Sequence, residues 1–257
     1  MTLEVPLIKL QDACSLLREF EVRLTPARPR ATGLPQVRQL LHEFERRHRY
    51  WEKRQVFSAG SFNLLRTMRL TTKELCHSNI LAWILDHRLG AFGTHAQGKL
   101  GLELFLAAVG LPTGLARTDY CVCREVPGRL SQLDIVVEAK RRFVIGIENK
   151  IESSEILGEQ DGEHQTEREW EDLQSRGKKL NVPPDWVKGF YLTPTGEPAR
   201  SEQFTPISWR LIADVFEAFA KAAKARMVQL FAQHYAETLR RDVVAETETQ
   251  EKEYEYR

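Results

Sequence analysis

The sequence predicts an α/β protein, a mixed central β-sheet flanked by α-helices with a helical extension at its N-terminus. Three observations carry that expectation. Apolar residues recur at helical spacing through the first hundred residues, β-branched alternating runs begin near residue 118 and return near 187 and 204, and helical spacing reappears between and after them. The order is helices, three strands, helix, strand, strand, helices, which places helices on both faces of one sheet.

The first elements are helical. LIKLQDACSLLREFEVRL and LPQVRQLLHEFERRHRYWEKR flank a Pro/Thr/Gly-containing break at 25–34 and read as an antiparallel helical pair. The second of them is dense in charge (His42, Glu43, Glu45, Arg46, Arg47, His48, Arg49), the pattern of a solvated face. SFNLLRTMRL, TTKELCHSNILAWILDHR and GLELFLAAVG continue as helices, with Thr72 as the cap of the middle one. Within that helix Glu74 and Ser78 share a face, and Leu81 and Leu85 extend it. His77, His87 and His95 are spaced too irregularly for a zinc constellation and read as hydrogen-bonded structural residues.

Strands follow at TDYCVCREV (118–126), 133–138, 143–149, VKGFYLTP (187–194) and FTPIS (204–208). A polar helix spans 159–176, with Trp170 and Leu173 as an apolar stripe behind Gln165 and Arg168. SWRLIADVFEAFAKAAK forms another, capped by Ser208. Three regions result: a helical extension over 1–58, the sheet-containing domain over 59–240, and a charged flexible tail over 241–257.

Composition narrows the function classes. At 257 residues and 42% hydrophobic the chain can bury a substantial core, and its net charge of +1 means that any polyanion site must be local. Such local basic clusters occur at Lys140, Arg141 and Arg142, and at Arg176, Lys178 and Lys179. No run of about 18 apolar residues suggests a membrane span, and the N-terminus lacks a secretory pattern, so the expected location is the cytoplasm. Cys14, Cys76, Cys121 and Cys123 form no CxxC pair and read as packing residues.

The most informative stretch is LDIVVEAKRRFVIGIENK, residues 133–150. It reads as a hairpin with its turn centred on Arg141, which places Asp134 opposite Glu148 and Gln132 opposite Lys150, with neighbouring Cβ atoms about 5 Å apart. Alternation puts Asp134, Glu148 and Lys150 on one face and Ile135, Val137, Ile145 and Ile147 on the other, while Gly146 is expected to leave the acidic face open. Facing carboxylates repel, and a divalent cation would stabilise them. Mg²⁺ suits one or two carboxylates plus carbonyls, waters and phosphate, with Lys150 aimed at the same phosphate or at an attacking water. The competing reading is a solvated hairpin end whose charges simply face water.

Asp134 in QLDIVV, Glu148-Asn149-Lys150 in GIENKI and Gln165 in EHQTEREWEDL together resemble the PD-(D/E)XK nuclease superfamily. Upstream, FNLLRTMRLTTKELCHSNILAWILD resembles the segment that precedes the core in one subgroup, with Glu74 at the position of its helical glutamate. Leu133 stands where the proline before the aspartate is usual, and the segment 152–162 before Gln165 is acidic. The resemblance covers roughly 60–220 and implies a restriction-endonuclease-like core and hydrolysis of phosphodiester bonds, of DNA rather than RNA, in a phage-defence or restriction-like setting. It further implies Mg²⁺ (or Mn²⁺) held by Asp134, Glu148 and the carbonyl of Asn149, with Glu74 binding a second ion or its waters. Lys150 would position or activate the water, and Gln165 would orient Lys150 or the nucleic-acid backbone. The alternative is a non-catalytic nucleic-acid-binding or partner-regulating module that keeps the fold. The N-terminal helices would make a homodimer or recruit a partner subunit.

Overall fold

The computed structural model of the chain describes residues 34–58, 62–128, 132–151 and 164–244. By internal contacts the chain divides into two units, Met1–Phe62 and Asn63–Arg257. In the first, helix α1 (Leu34–Ser58) carries the Arg47–Glu43 ion pair at 2.7 Å and a stacked Phe44–His48 pair one turn apart. The preceding half of the expected helical pair lies outside the described residues, as do 245–257 of the tail expected over 241–257; its first residues, 241–244, belong to a π-helical turn over Leu239–Val244 in which Asp242, Val243 and Val244 are buried.

In the second unit α2 (Leu64–Thr67), α3 (Glu74–Leu85) and α4 (Leu100–Ala108) precede strands β1 (Cys121–Pro127), β2 (Gln132–Ala139) and β3 (Phe143–Asn149). Then follow α5 (Gln165–Lys179), β4 (Val187–Thr193), β5 (Phe204–Ser208), α6 (Trp209–Ala222) and α7 (Arg226–Thr238). The five strands form one mixed sheet in the order β1-β2-β3-β4-β5, antiparallel across β1–β2 and β2–β3 and parallel across β3–β4 and β4–β5. The change to parallel pairing at β3 follows from α5, the crossover that returns the chain to the same end of the sheet.

Period-two alternation sorts the sheet into two cores. Ile135, Val137, Ile145 and Ile147 join Leu81, Leu85, Phe105, Trp209 and Phe216 from the helices on one face. Val136, Val144, Val187 and Phe204 pack with Leu173 of α5 on the other. Central β3 is buried along its whole length, Glu148 included.

Some element ends differ from expectation. The helix expected over SFNLLRTMRL is a single turn, capped by Asn63, whose Oδ1 accepts from Arg66 N at 3.1 Å, and ended by Arg69 at φ 55°. Thr72 is not the cap of α3. Lys73 holds that position without a side-chain bond, and His77 Nε2 reaches back to the Thr71 carbonyl at 2.9 Å to fix the entering chain. Ser208 does cap α6, accepting from Leu211 N at 3.2 Å. His77 and His95 are buried and hydrogen-bonded, to Tyr235 Oη and to the Asp86 carbonyl respectively.

Candidate active site

The β2–β3 ladder pairs Ile135 with Ile147, Val136 with Gly146 and Val137 with Ile145, the register expected of a turn centred on Arg141, which itself sits at φ 62°. One step further brings Asp134 opposite Glu148, where backbone pairing gives way: Asn149 N donates to Asp134 Oδ2 at 2.8 Å. The N–H and C=O of a strand residue point the same way, so the Asn149 carbonyl lies on the Asp134 side. The Asn149 side chain is committed elsewhere. Its Nδ2 donates to the Glu74 carbonyl and to Ser78 Oγ, both at 3.1 Å, and its Oδ1 accepts from Trp209 Nε1 at 3.1 Å. Of Asn149, therefore, the main-chain carbonyl is what remains for a ligand.

Glu148 is 2% exposed. Its Oε1 accepts from Lys150 Nζ at 2.8 Å and from Gln165 Nε2 at 2.7 Å. Glu74, in the first turn of α3, receives the Ile151 N–H on Oε1 at 2.8 Å, tying the chain just after Lys150 to that helix. The structure thus draws Glu74, Asp134, Glu148, Asn149, Lys150 and Gln165 from α3, β2, β3 and α5 to one place.

Electrostatics follow from crowding acids in a poorly solvated spot. Burial and the neighbouring Asp134 charge push the Glu148 carboxyl up to about 7, against the opposing pull of the Lys150 ammonium. Burial also raises Asp134, which the Asn149 N–H and Lys150 oppose and Glu74 reinforces. Burial works to depress Lys150, but Glu148, Glu74 and Asp134 hold it above the ordinary lysine value. The acids around Lys150 thus favour its ammonium form.

Two findings correct the sequence reading. Gly146 does not leave the acidic face open: a Cβ there would lie 2.7 Å from both Cδ atoms of Leu173, so the missing side chain is the space into which α5 packs. Arg176, grouped with surface cations, is instead locked to Glu138, donating to both carboxylate oxygens, one at 3.0 Å. Both contacts seat α5, and with it Gln165, against the sheet.

One acid was not singled out from the sequence. Glu169, one turn after Gln165, is fully buried. Its Oε1 accepts from Gln165 Nε2 at 2.7 Å, and burial and the Glu148 charge push its carboxyl up to about 10. The inward stripe of α5 is Thr166, Glu169, Leu173 and Gly177, at i, i+3, i+7, i+11. That spacing is legible in EHQTEREWEDLQSRG; the half-buried Trp170 drew the expected stripe one residue off.

The donor set fits a hard divalent cation. Glu148 Oε2 and Glu169 Oε2 are buried without a hydrogen-bond partner among the described residues, and Asp134 and Glu148 both carry carboxyls raised by burial, with Asp134's charge adding to the rise at Glu148. Among the described residues no group of three or more His, Cys, Asp or Glu side chains is placed to hold a metal ion by itself. An ion held here would have two carboxylates, a carbonyl and waters, the partial shell that Mg²⁺ favours.

A family model described as the PD-(D/E)XK nuclease superfamily matches residues 62–254. No curated protein and no solved structure matches the chain.

Proposed function

The chain belongs to the PD-(D/E)XK nuclease superfamily, and from that premise we propose that it is a metal-dependent nuclease that hydrolyses phosphodiester bonds of DNA. The observation that supports this most is the joining of Asp134, Glu148 and Lys150 at one end of β2 and β3, with Gln165 bonded to Glu148. The preference for DNA, and a cytoplasmic phage-defence or restriction-like role, follow the superfamily's habits.

Asp134, Glu148 and the Asn149 carbonyl would hold Mg²⁺ or Mn²⁺, and Glu74 would bind a second ion or its waters. The bound ion supplies Lewis acidity toward the phosphate and lowers the pKa of water. Lys150 stays charged and directs its ammonium to a phosphoryl oxygen or the attacking water, opposing the charge that develops in the transition state. Gln165 keeps Glu148 in orientation, and Glu74 fixes the backbone after Lys150 through the Ile151 N–H.

Supercoiled plasmid and a structured RNA, each incubated with Mg²⁺, Mn²⁺ or EDTA, test the proposal. Cleavage of plasmid with either metal and none in EDTA is expected, with Asp134→Ala and Lys150→Ala each slower by at least about 10²-fold. A folded wild-type chain that binds nucleic acid without cutting would establish the non-catalytic module instead.

We further infer that the chain self-associates through α1. Val37, Leu41, Phe44 and His48 follow the 4-3-4 spacing of a coiled-coil seam, and Leu41 and Phe44 are 56% and 61% exposed. Light scattering at low and high salt should report a dimer that Leu41→Glu dissociates; a monomer throughout would refute it.

A further inference from the structure

Glu169 calls for an explanation. A carboxyl at a fully buried position, on a helix stripe otherwise made of Thr166, Leu173 and Gly177, is unfavourable where a leucine would pack without penalty. Its one hydrogen bond among the described residues that geometry defines for Oε1 is to Gln165 Nε2, and the same nitrogen donates to Glu148 Oε1. The second oxygens of both carboxyls, and Gln165 Oε1, are buried without hydrogen-bond partners among the described residues.

We propose that Glu169 is a positioning residue of the active site: its Oε1 anchors the Gln165 amide, and the amide in turn fixes the Glu148 carboxylate, committing Oε1 and leaving Oε2 oriented for a ligand. This rests on the nuclease reading of Glu148 and adds to it a supporting residue. A glutamine side chain has two amide hydrogens on one nitrogen. With only Glu148 as acceptor, the amide could rotate about its last torsion and carry the contact away. With Glu169 fixed one turn behind on the same helix, both hydrogens have acceptors at 2.7 Å and the rotation is opposed. Leu173 against Gly146 and Arg176 against Glu138 then hold the helix that carries both residues, so the Glu148 carboxylate is registered to the sheet through α5.

The role predicts a pattern that separates orientation from bulk packing and from direct metal ligation. Glu169→Gln keeps an acceptor oxygen for Gln165 and removes the ionisable carboxyl, whereas Glu169→Leu keeps the volume and removes the acceptor. Mn²⁺ affinity, measured by calorimetry without substrate, is expected to fall about tenfold in Glu169→Leu, with kcat lowered about 10- to 100-fold and KM for plasmid unchanged. Glu169→Gln should stay within about threefold of wild type on both readouts. Adding Gln165→Leu to Glu169→Leu should cause little further loss, since both act through one contact.

Far-UV circular dichroism and urea melts confirm which variants are folded, and Gln165→Leu, at a half-buried site, carries the same test should Glu169→Leu not fold. Glu169→Leu, or Gln165→Leu in its place, matching wild type in Mn²⁺ affinity and kcat would overturn the positioning role while leaving the nuclease reading intact. So would Glu169→Gln being as impaired in Mn²⁺ affinity as Glu169→Leu, which would make Glu169 a ligand. A wild-type chain that neither binds Mn²⁺ nor cuts would overturn both.

Discussion

Substituting Gly146 by alanine tests how α5 is seated over the site. Gly146 is not in the left-handed region, so the glycine is needed for space and not for its dihedral angle. Alanine should therefore stabilise by about 0.5–1 kcal/mol through the unfolded state. Against this stands the new Cβ, 2.7 Å from Leu173 Cδ1 and Cδ2 and 3.1 Å from Cγ. Leu173 is fully buried, so the overpacking costs about 1–3 kcal/mol and wins. The net expectation is a loss of roughly 1–2 kcal/mol. Leu173→Ala alone should cost about 2–5 kcal/mol by leaving a cavity. In the double variant the alanine at 146 enters that cavity, so the two costs should sum to more than the measured loss, with a coupling of at least about 1 kcal/mol. Urea unfolding of the four proteins measures the cycle. Additivity within about 0.5 kcal/mol, or an indifferent Gly146→Ala, would refute the close approach of α5 to the sheet.

Further predictions follow from the acids and their neighbours. Without metal, Glu148 titrates near about 7 when folded and near its ordinary 4.5 when unfolded, so between those values the unfolded chain binds fewer protons and stability falls as pH rises. The drop from this group is on the order of 3 kcal/mol between pH 4.5 and 7.5, read by urea melts in EDTA; stability that rises over this window would contradict it. Asp134→Asn should leave the metal-free melting temperature unchanged or raise it, because a buried like charge is gone, while abolishing cleavage. Saturating Mn²⁺ at a hundred times Kd should stabilise the wild type by about 2.7 kcal/mol and this variant by none, and an equal Mn²⁺ shift in both would count against Asp134 as a ligand. Asn149→Ala takes the acceptor from the buried Trp209 Nε1–H and removes the bonds to the Glu74 carbonyl and Ser78 Oγ, and should lower stability by about 1–3 kcal/mol in thermal melts; a change below about 0.5 kcal/mol would show those bonds to be dispensable.

What could be read from the sequence was what local periodicity encodes. The register of β2 on β3 followed from alternation and a basic turn at Arg141, and the Ser208 cap from its place before an apolar helical stripe. The order of strands and helices was legible for the same reason, since each element has its own period. What stayed hidden depends on how far one element approaches another. Gly146 looks like an opening until Leu173 is known to fill it, and Arg176 looks like a surface cation until Glu138 is across from it. Glu169 was concealed because a glutamate in a charged helix reads as solvated unless the helix's inward face is known, and that face is set by contacts with β3 and β4.

The central claim is that Asp134 and Glu148, facing across the end of the hairpin beside the Lys150 ammonium, hold a divalent cation. Crystals soaked in Mn²⁺ measure this directly through anomalous scattering. The expected result is a peak bonded to a carboxylate oxygen of Asp134, to Glu148 Oε2 and to the Asn149 carbonyl. A fully soaked crystal of active protein with no peak touching either acid would contradict it.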